Sequence, residues 1–295
     1  MKKRKSSQSV RIALIQMSCG PDASANLRKA MALVKKAAAR GARIISLQEL
    51  FRTEYFCKTE DAKHFDLAET IPGPSTDLLS QLAKSENTVV IAPLFEKRAK
   101  GIYHNTAVVI DADGKMLGKY RKVHIPDDPG FYEKFYFVPG DLGFKSFKTR
   151  YATIGVLVCW DQWFPEAARL AALNGAEILF YPTTIGWKHD RQKEAESYRD
   201  AWETVQRGHA IASGVFVAAA NRVGREGGFD YWGNSFVAGP FGDVLHRAST
   251  RKEEILIADC NLSQIEKTRR EWPFLRDRRI DAYGAITSRF IQKKS

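Results

Sequence analysis

Apolar residues along the chain fall into two patterns. Continuous apolar runs predict strands that are buried on both faces, and apolar residues spaced three or four apart predict helices with one buried face. The runs predict strands at residues 11–16, 43–47, 88–94, 154–158, 177–182, 215–221 and 254–259. The spaced pattern predicts helices at about residues 26–40, 75–86, 165–173, 191–213 and 261–270.

Turn residues add two predicted hairpins. Asp113-Gly114 joins strands at 103–111 and 115–122, and the turn at 239–242 joins residues 235–238 to residues 243–247. The aromatic-rich stretches 127–143 and 183–190 are predicted to be loops. Strands that alternate with helices, together with the hairpins, predict an α/β fold with two sheets and helices outside.

Cys159 follows the predicted strand 154–158 and precedes a helix that Pro165 opens. Active sites of α/β proteins gather where strands end. The nearby helix N-terminus is expected to favour a thiolate over a thiol. The alternative is that Cys159 is a small core residue, which is the usual role of an unpaired cysteine.

Glu49 and Lys122 also stand at the ends of predicted strands, 43–47 and 115–122. Singly, each is as well explained by an ion pair or a solvated charge. Together with Cys159 they form a chemical set, because a thiol nucleophile needs a base and an oxyanion needs a positively charged donor. The three residues therefore predict attack of a thiol on a carbonyl, without histidine or metal.

Composition limits the other functions. The chain has 295 residues, of which 44% are hydrophobic and 27% charged, as in ordinary soluble proteins. No apolar run approaches the ~20 residues of a membrane span, and the basic residues 1–9 lack the apolar core of a signal peptide. We expect a cytoplasmic protein without a membrane partner. It would have a disordered basic tail at 1–9, one domain at 10–285 and a C-terminal tail at 286–295.

Neither the cysteine spacing nor the charge distribution of the sequence indicates a metal site or a nucleic-acid-binding function. The four cysteines form no C-x-x-C pair and no cluster with histidine at zinc spacing, so we expect no metal and no cofactor. The net charge of +12 falls to +6 when the six Lys and Arg residues at positions 2–5, 293 and 294 are removed. The body of the chain shows no basic stripe interleaved with aromatic residues, so a solvated surface explains this charge better than a nucleic-acid partner.

Three short motifs carry a resemblance to a known family. Residues 48–51, 120–126 and 158–161 resemble, in order and in strand-end context, the Glu-Lys-Cys triad of the nitrilase superfamily of carbon–nitrogen hydrolases. Each motif is weak alone, but three in order are specific. The resemblance covers about residues 11–283. It implies a four-layer α-β-β-α sandwich of the nitrilase type, with two mixed sheets and helices outside.

The resemblance also implies a role for each candidate residue. Glu49 would be the general base and Cys159 the nucleophile, while Lys122 and the backbone N–H of Trp160 would hold the oxyanion. Glu133 corresponds to a second acidic residue of the superfamily, and it would orient Lys122 and the substrate. The superfamily pairs into dimers and often assembles further, which implies a homodimer or a higher homo-oligomer here.

Longer stretches narrow the resemblance to the N-carbamoylputrescine amidohydrolases. They are residues 124–127, 129–131, 133–137, 139–141 and 159–169. The expected reaction is hydrolysis of N-carbamoylputrescine to putrescine, carbon dioxide and ammonia, a step of polyamine biosynthesis. The alternatives are another carbamoyl or ω-amide hydrolase, such as a β-ureidopropionase, and a catalytically idle member that only binds partners.

The small-molecule substrate is expected to carry an amine rather than a carboxylate. Members that act on N-carbamoyl amino acids tend to place an arginine just after the nucleophile, and this chain has none before Arg169. Arg121 and Lys188 would reverse the expectation if either pointed into the site. Negative charge and aromatic faces attract an alkylammonium. The residues expected to supply them are Asp127, Asp128, Tyr132 and Trp187.

The implied dimer would be built on helices 165–173 and 191–213. The second helix carries an apolar stripe, formed by Ala195, Tyr198, Trp202 and Val205. Such a stripe can face a partner subunit or pack inward on the sheet, so the pattern leaves both possibilities open.

Overall fold

The computed structural model describes residues 9–291, without the side chains of residues 191–193. Its helices are α1 (Ala23–Ala39), α2 (Pro74–Glu86), α3 (Glu133–Tyr136), α4 (Pro165–Leu173), α5 (Ala195–Ser213) and α6 (Ser263–Glu271). Its strands are β1 (Ser9–Gln16), β2 (Ile44–Ser46), β3 (Val89–Ala99), β4 (Ile102–Ile110), β5 (Met116–Arg121), β6 (Asp127–Asp128), β7 (Phe131–Tyr132), β8 (Ser146–Lys148), β9 (Thr153–Val156), β10 (Ile178–Pro182), β11 (Gly186–Lys188), β12 (Phe216–Ala220), β13 (Val223–Glu226), β14 (Phe229–Trp232), β15 (Phe236–Ala238), β16 (Val244–Arg247) and β17 (Glu254–Asn261). Short 3-10 helices cover Phe56–Lys58, Ala62–Leu67, Cys159–Trp163, His189–Glu194, Ile280–Ala282 and Gly284–Thr287.

Two six-stranded mixed sheets form the centre of the molecule. The first has the order β17-β1-β2-β3-β4-β5 and the second has the order β16-β15-β12-β10-β9-β8. Helices α1 and α2 contact the first sheet, and α4 and α5 contact the second. The predicted α-β-β-α sandwich is therefore confirmed.

Strand β1 shows why these strands read as continuous apolar runs. Ile12 and Leu14 belong to the core between the two sheets, whereas Ala13 and Ile15 pack in the core under the helices, with Val34 of α1. Successive side chains of a strand point to opposite faces. Because both faces are covered over residues 12–15, all four of these positions are apolar.

The helices begin and end at residues whose backbone chemistry suits these positions. The carboxylate of Asp22 accepts the N–H groups of Ser24 and Ala25 and caps α1. Pro165 is the first residue of α4, so the predicted helix 165–173 is confirmed at both ends. The predicted helix 191–213 starts later than expected, because residues 189–194 form a 3-10 helix and α5 begins at Ala195.

The two predicted loops contain regular structure. In 127–143, strands β6 and β7 pair and α3 follows; in 183–190, β11 joins β14 and β13 in a three-stranded sheet. The prediction of plain loops was wrong because very short strands carry too few residues to show a period of two. The hairpin β13–β14, which turns at Gly227 and Gly228, was not predicted; both glycines have positive φ (52° and 84°).

The apolar stripe on α5 packs mostly inward. Trp202 is fully buried and Ala195 is buried, while Tyr198 is 45% exposed. Within residues 9–291, no helix is long and apolar enough to cross a membrane. The division into a tail at 1–9, a domain at 10–285 and a tail at 286–295 stays a prediction, and residues 1–8 and 292–295 lie outside the described part.

Candidate active site

The three candidate catalytic residues meet between the two sheets. Glu49 follows β2 and Lys122 follows β5, both in the first sheet, whereas Cys159 follows β9 in the second. Their exposed fractions are 0%, 1% and 5%. The geometry of the site therefore depends on how the two sheets pack.

Lys122 bridges two carboxylates. Its Nζ donates to Oε1 of Glu49 at 2.8 Å and to Oε2 of Glu133 at 2.6 Å. The hydroxyl of Tyr55 donates to the other oxygen of Glu133 at 2.8 Å. An ammonium has three N–H groups, so one remains for a carbonyl oxygen brought near Lys122.

The two carboxylate oxygens of Glu49 differ. Oε1 accepts from Lys122 and also from the side-chain amide of Asn105, at 2.8 Å. Oε2 is buried and has no hydrogen-bond partner among the described residues. Because a buried oxygen without a partner is costly, Oε2 is the atom suited to accept the thiol proton.

Burial controls the protonation of the nucleophile. It raises the pKa of Cys159 well above its ordinary value, and the neighbouring Glu49 adds to the effect while Lys122 opposes it. The expectation that the nearby helix N-terminus favours a thiolate is therefore wrong, because burial outweighs any such effect on the pKa of Cys159. The thiol keeps its proton until a base removes it.

The pKa values of Lys122 and Glu133 are both raised, with different causes and opposite effects on charge. Burial lowers the pKa of Lys122, but the carboxylates of Glu133 and Glu49 outweigh burial and raise it well above its ordinary value. Burial raises the pKa of Glu133 to about 7, against the attraction of Lys122. Lys122 therefore stays charged, and Glu133 changes between its neutral and ionised forms near pH 7.

Cys159 lies on a strained turn. Its φ of 45° is in the left-handed region, which costs a non-glycine residue ~1–2 kcal/mol. The buried carboxylate of Asp161 secures this turn by accepting from the N–H of Val158 at 3.0 Å, the hydroxyl of Tyr120 at 2.8 Å and the N–H of His124 at 3.0 Å. The thiol itself faces the carbonyl of Thr184, with Sγ and O 4.0 Å apart.

A cavity of about 440 Å³ opens beside Cys159. Glu49 and Lys122 are not among its lining residues, but Lys122 contacts the lining residue Glu133. Among the described residues no Arg or Lys lines the cavity, and its carboxylates are those of Glu133 and Asp128. The wall consists of Pro126, Asp128, Phe131, Glu133, Cys159, Trp160, Trp163, Thr184, Ile185, Gly186, Tyr198, Ala201 and Trp232.

The hairpin β6–β7 explains which predicted substrate residues reach the cavity. Asp128 pairs with Phe131, and both line the cavity; Asp127 pairs with Tyr132, and neither does. Cross-strand partners share one face of a hairpin, and neighbouring pairs point to opposite faces. Asp127 and Tyr132 therefore lie on the face turned from the cavity.

The remaining predicted substrate contacts lie elsewhere. Trp187 stacks on Trp232 with ring centroids 5.0 Å apart and lines a neighbouring groove rather than this cavity. Arg121 binds Glu96 and Asp141, and Lys188 is exposed outside the cavity wall. Neither basic residue turns into the site.

Sequence reasoning missed several residues that hold the site together. They are Tyr55, Asn105, Asp161, Thr184 and Arg222. A polar Asn105-Thr106 pair within the apolar run of β4 was a signal that could have found Asn105. Asp161 stands within the motif 158–161, whereas Tyr55, Thr184 and Arg222 reach Glu133 or the backbone of Glu49 from 78, 135 and 173 residues away, so no local signal marks those contacts.

Comparison with known proteins places these features in a family context. A profile of the carbon-nitrogen hydrolase family matches residues 11–270. The chain is 45% identical to the N-carbamoylputrescine amidase of Oryza sativa subsp. japonica, over 94% of either chain, and 42% identical to the citrullinase of Francisella tularensis subsp. tularensis, over 95% of this chain and 99% of that one. The crystal structure of a carbon–nitrogen hydrolase from Helicobacter pylori G27 superposes with a TM-score of 0.93 at 47% identity, covering 96% of this chain and all of that one (100%).

Proposed function

Because the chain belongs to the carbon–nitrogen hydrolase family, we propose that it hydrolyses N-carbamoylputrescine to putrescine, carbon dioxide and ammonia through a covalent intermediate on Cys159. The observation that carries the proposal is the cavity beside Cys159. Its wall combines Cys159 and Glu133, which is bound to the Lys122–Glu49 pair, with aromatic side chains, the carboxylate of Asp128 and no basic residue among those described. The 45% identity to a plant N-carbamoylputrescine amidase supports the same substrate.

The first half of the reaction forms the intermediate. Oε2 of Glu49 accepts the thiol proton while the sulfur of Cys159 bonds to the ureido carbon. The oxyanion accepts from the third N–H of Lys122 and from the backbone N–H of Trp160. The carbon–nitrogen bond then breaks, and Glu49 returns the proton to the departing ammonia, which leaves the carbamoyl group on the sulfur.

The second half regenerates the thiol. Glu49 takes a proton from a water molecule while the oxygen of that water attacks the carbamoyl carbon. The proton then passes to the sulfur of Cys159 as the carbon–sulfur bond breaks. The product is an N-alkylcarbamic acid, which loses carbon dioxide to give the amine. Glu133 holds Lys122 in place throughout, because it accepts from that ammonium at 2.6 Å.

The cavity wall suits an alkylammonium. Phe131, Trp163 and Trp232 supply apolar surface for a methylene chain and π-faces for a cation. Asp128 supplies a negative charge near the mouth. A carboxylate at the far end of the substrate would meet no described basic residue on this wall.

A second candidate is a ureido substrate that carries both an amine and a carboxylate. The 42% identity to a citrullinase favours this candidate. A β-ureidopropionase-like substrate, with a carboxylate alone, is the less favoured alternative because of the cavity's charge. An idle binding protein is the least favoured candidate. Glu49, Lys122 and Cys159 are all present, and Cys159 interacts electrostatically with the other two.

Ammonia release from three compounds tests the proposal. N-carbamoylputrescine, citrulline and N-carbamoyl-β-alanine share a ureido group and differ in the charge at the far end. We expect kcat/KM for N-carbamoylputrescine to exceed that for N-carbamoyl-β-alanine by about a hundredfold, because an unpaired carboxylate would be buried. A higher value for citrulline would favour the second candidate, and no ammonia from any amide would favour the idle protein.

Further properties belong to the same proposal. We expect a cytoplasmic homodimer or higher homo-oligomer that uses no metal, no cofactor, no nucleic acid and no membrane. Exposed apolar residues support an interface near α4 and the C-terminal segment; they include Leu170, Leu173, Ile280 and Ile286. A purely monomeric mass by light scattering at micromolar concentration would contradict the oligomer.

A further inference from the structure

A buried arginine joins the sheet of the nucleophile to the backbone of the base. Arg222 follows β12 in the second sheet and is fully buried. One nitrogen, Nη2, donates to the carbonyl of Leu50 at 3.0 Å and to that of Glu49 at 3.3 Å. The other, Nη1, donates to both carboxylate oxygens of Glu226, at 2.8 and 3.0 Å.

The backbone that Arg222 holds is strained. Leu50 has a φ of 49°, in the left-handed region, directly after the base. The hydroxyl of Thr184 donates to the carbonyl of Glu49 at 2.8 Å, so this turn is fixed from the second sheet at two points. A strained turn persists only where surrounding contacts hold it, and here those contacts come from the sheet that carries Cys159.

The same ion pair also reaches the second acidic residue. Glu226 accepts the N–H of Tyr55 at 2.8 Å, and the hydroxyl of Tyr55 donates to Glu133 at 2.8 Å. Arg222 thus binds the backbone that carries Glu49, and Glu226 binds the residue that hydrogen-bonds to Glu133. Glu49 and Glu133 are the two carboxylates that bind Lys122. Neither residue lines the cavity, so neither is placed to touch the substrate.

We infer that Arg222 and Glu226 form a positioning pair that sets Glu49 and Glu133 relative to Cys159. The inference rests on the proposed function in taking Glu49 as the base. A buried ion pair contributes little net stability and is best explained where it fixes a register. The planar guanidinium of Arg222 binds Glu226 and the backbone carbonyls through separate nitrogens. A lysine cannot reproduce this arrangement, because its ammonium is a point charge.

Substitutions of the pair test the inference. Arg222→Lys is expected to lower kcat about tenfold to a hundredfold with little change in KM, since misplacing a catalytic group by about 1 Å costs that much while the cavity wall is intact. The double variant Arg222→Met with Glu226→Gln removes both charges without leaving one buried alone, and it should show the same loss. The control is Arg247→Lys, because Arg247 also makes two hydrogen bonds to a single glutamate, Glu203, and does not line the cavity.

Alkylation of Cys159 by iodoacetamide gives a readout that needs no substrate. Its rate, followed by peptide mass spectrometry from pH 6 to 9, should fall in the Arg222 variants in parallel with kcat, and its pH profile should shift, because Glu49 no longer reaches the thiol correctly. Failure of the substrate assignment would leave this result intact. If the folded variants keep kcat and the alkylation profile within about twofold of wild type while their unfolding temperature falls, the pair is only structural and the inference is overturned.

Discussion

Asn105 binds only one of the two carboxylate oxygens of Glu49, the same Oε1 that accepts from Lys122. One carboxylate oxygen of Glu49 is therefore held by two donors, and the other has no partner among the described residues. A carboxylate that can rotate would share its two oxygens among these donors. Asn105 fixes the orientation in which Oε2 remains for the proton of Cys159.

The substitution Asn105→Ala is expected to lower kcat about tenfold to a hundredfold with little change in KM, because the base loses its orientation but the cavity keeps its wall. Steady-state kinetics with the best ureido substrate measures both constants. Asn26→Ala is the control, since Asn26 is also a buried amide and donates to the backbone carbonyls of Gly20 and Arg52. Equal losses in the two variants would assign the effect to folding.

Cys159→Ala is expected to abolish turnover, because it removes the thiol that carries the covalent intermediate in the proposed mechanism. The other cysteines, Cys19, Cys57 and Cys260, are also buried, and replacing each by alanine should keep most of the activity. Cys57 is the sharpest control, because its thiol interacts electrostatically with Glu133 and Lys122. Near-normal turnover by Cys159→Ala would falsify the mechanism.

Glu133 should impose an acid limb on the reaction. Burial raises its pKa to about 7, so the carboxylate that holds Lys122 is charged above that pH and neutral below it. We expect kcat/KM to fall as the pH is lowered through about 7. Glu133→Gln should lower activity and abolish this limb; a profile of the same shape in the variant would contradict the assignment.

The hairpin β6–β7 offers a matched pair of variants for substrate charge. Asp128→Asn should lower kcat/KM for N-carbamoylputrescine about twofold to fivefold, the usual value of one solvent-exposed charge pair. Asp127→Asn, which removes the same charge from the opposite face of the hairpin, should have little effect. If both variants lose the same amount, the cavity does not use Asp128 specifically.

Acid should weaken the fold through Glu96. Burial raises the pKa of Glu96, but hydrogen bonds from Arg121, Lys119 and Thr106 outweigh it and lower the pKa from 4.5 to about 2. A lowered folded-state pKa gives stability that is present above pH 4.5 and is lost as the pH falls towards 2. The free energy of unfolding in urea should therefore lose about 2 kcal/mol through this group between pH 6 and pH 3. Glu96→Gln should lack that part of the loss.

Much of the fold follows from local patterns. The apolar runs located the buried strands, and Pro165 fixed the first residue of α4, because strand burial and a helix start each depend on neighbouring residues. Strand-end position brought Glu49, Lys122 and Cys159 forward as one chemical set. The contacts that orient them could not be predicted, because Asn105 and Arg222 reach Glu49 from 56 and 173 residues away.

The direction in which a side chain points was the second property of the site that the sequence could not predict. Asp127 and Asp128 look equivalent in the sequence, and only the pairing of β6 with β7 separates them into opposite faces. The protonation of Cys159 was mispredicted for a related reason. Helix position can be read from sequence, whereas the burial that dominates its pKa depends on the packing of both sheets.

Strand β17 comes from the far end of the chain, yet it lies beside β1, the first strand. Translation therefore delivers the first sheet without its last member until about residue 261 has left the ribosome. Through that interval the nascent chain presents β1 as an open edge, whose unpaired N–H and C=O groups can bind another strand. The sheet that carries Glu49 and Lys122 is thus completed only after β17 has been made, and a chain shortened before β17 would expose β1 as an edge open to pairing with another chain.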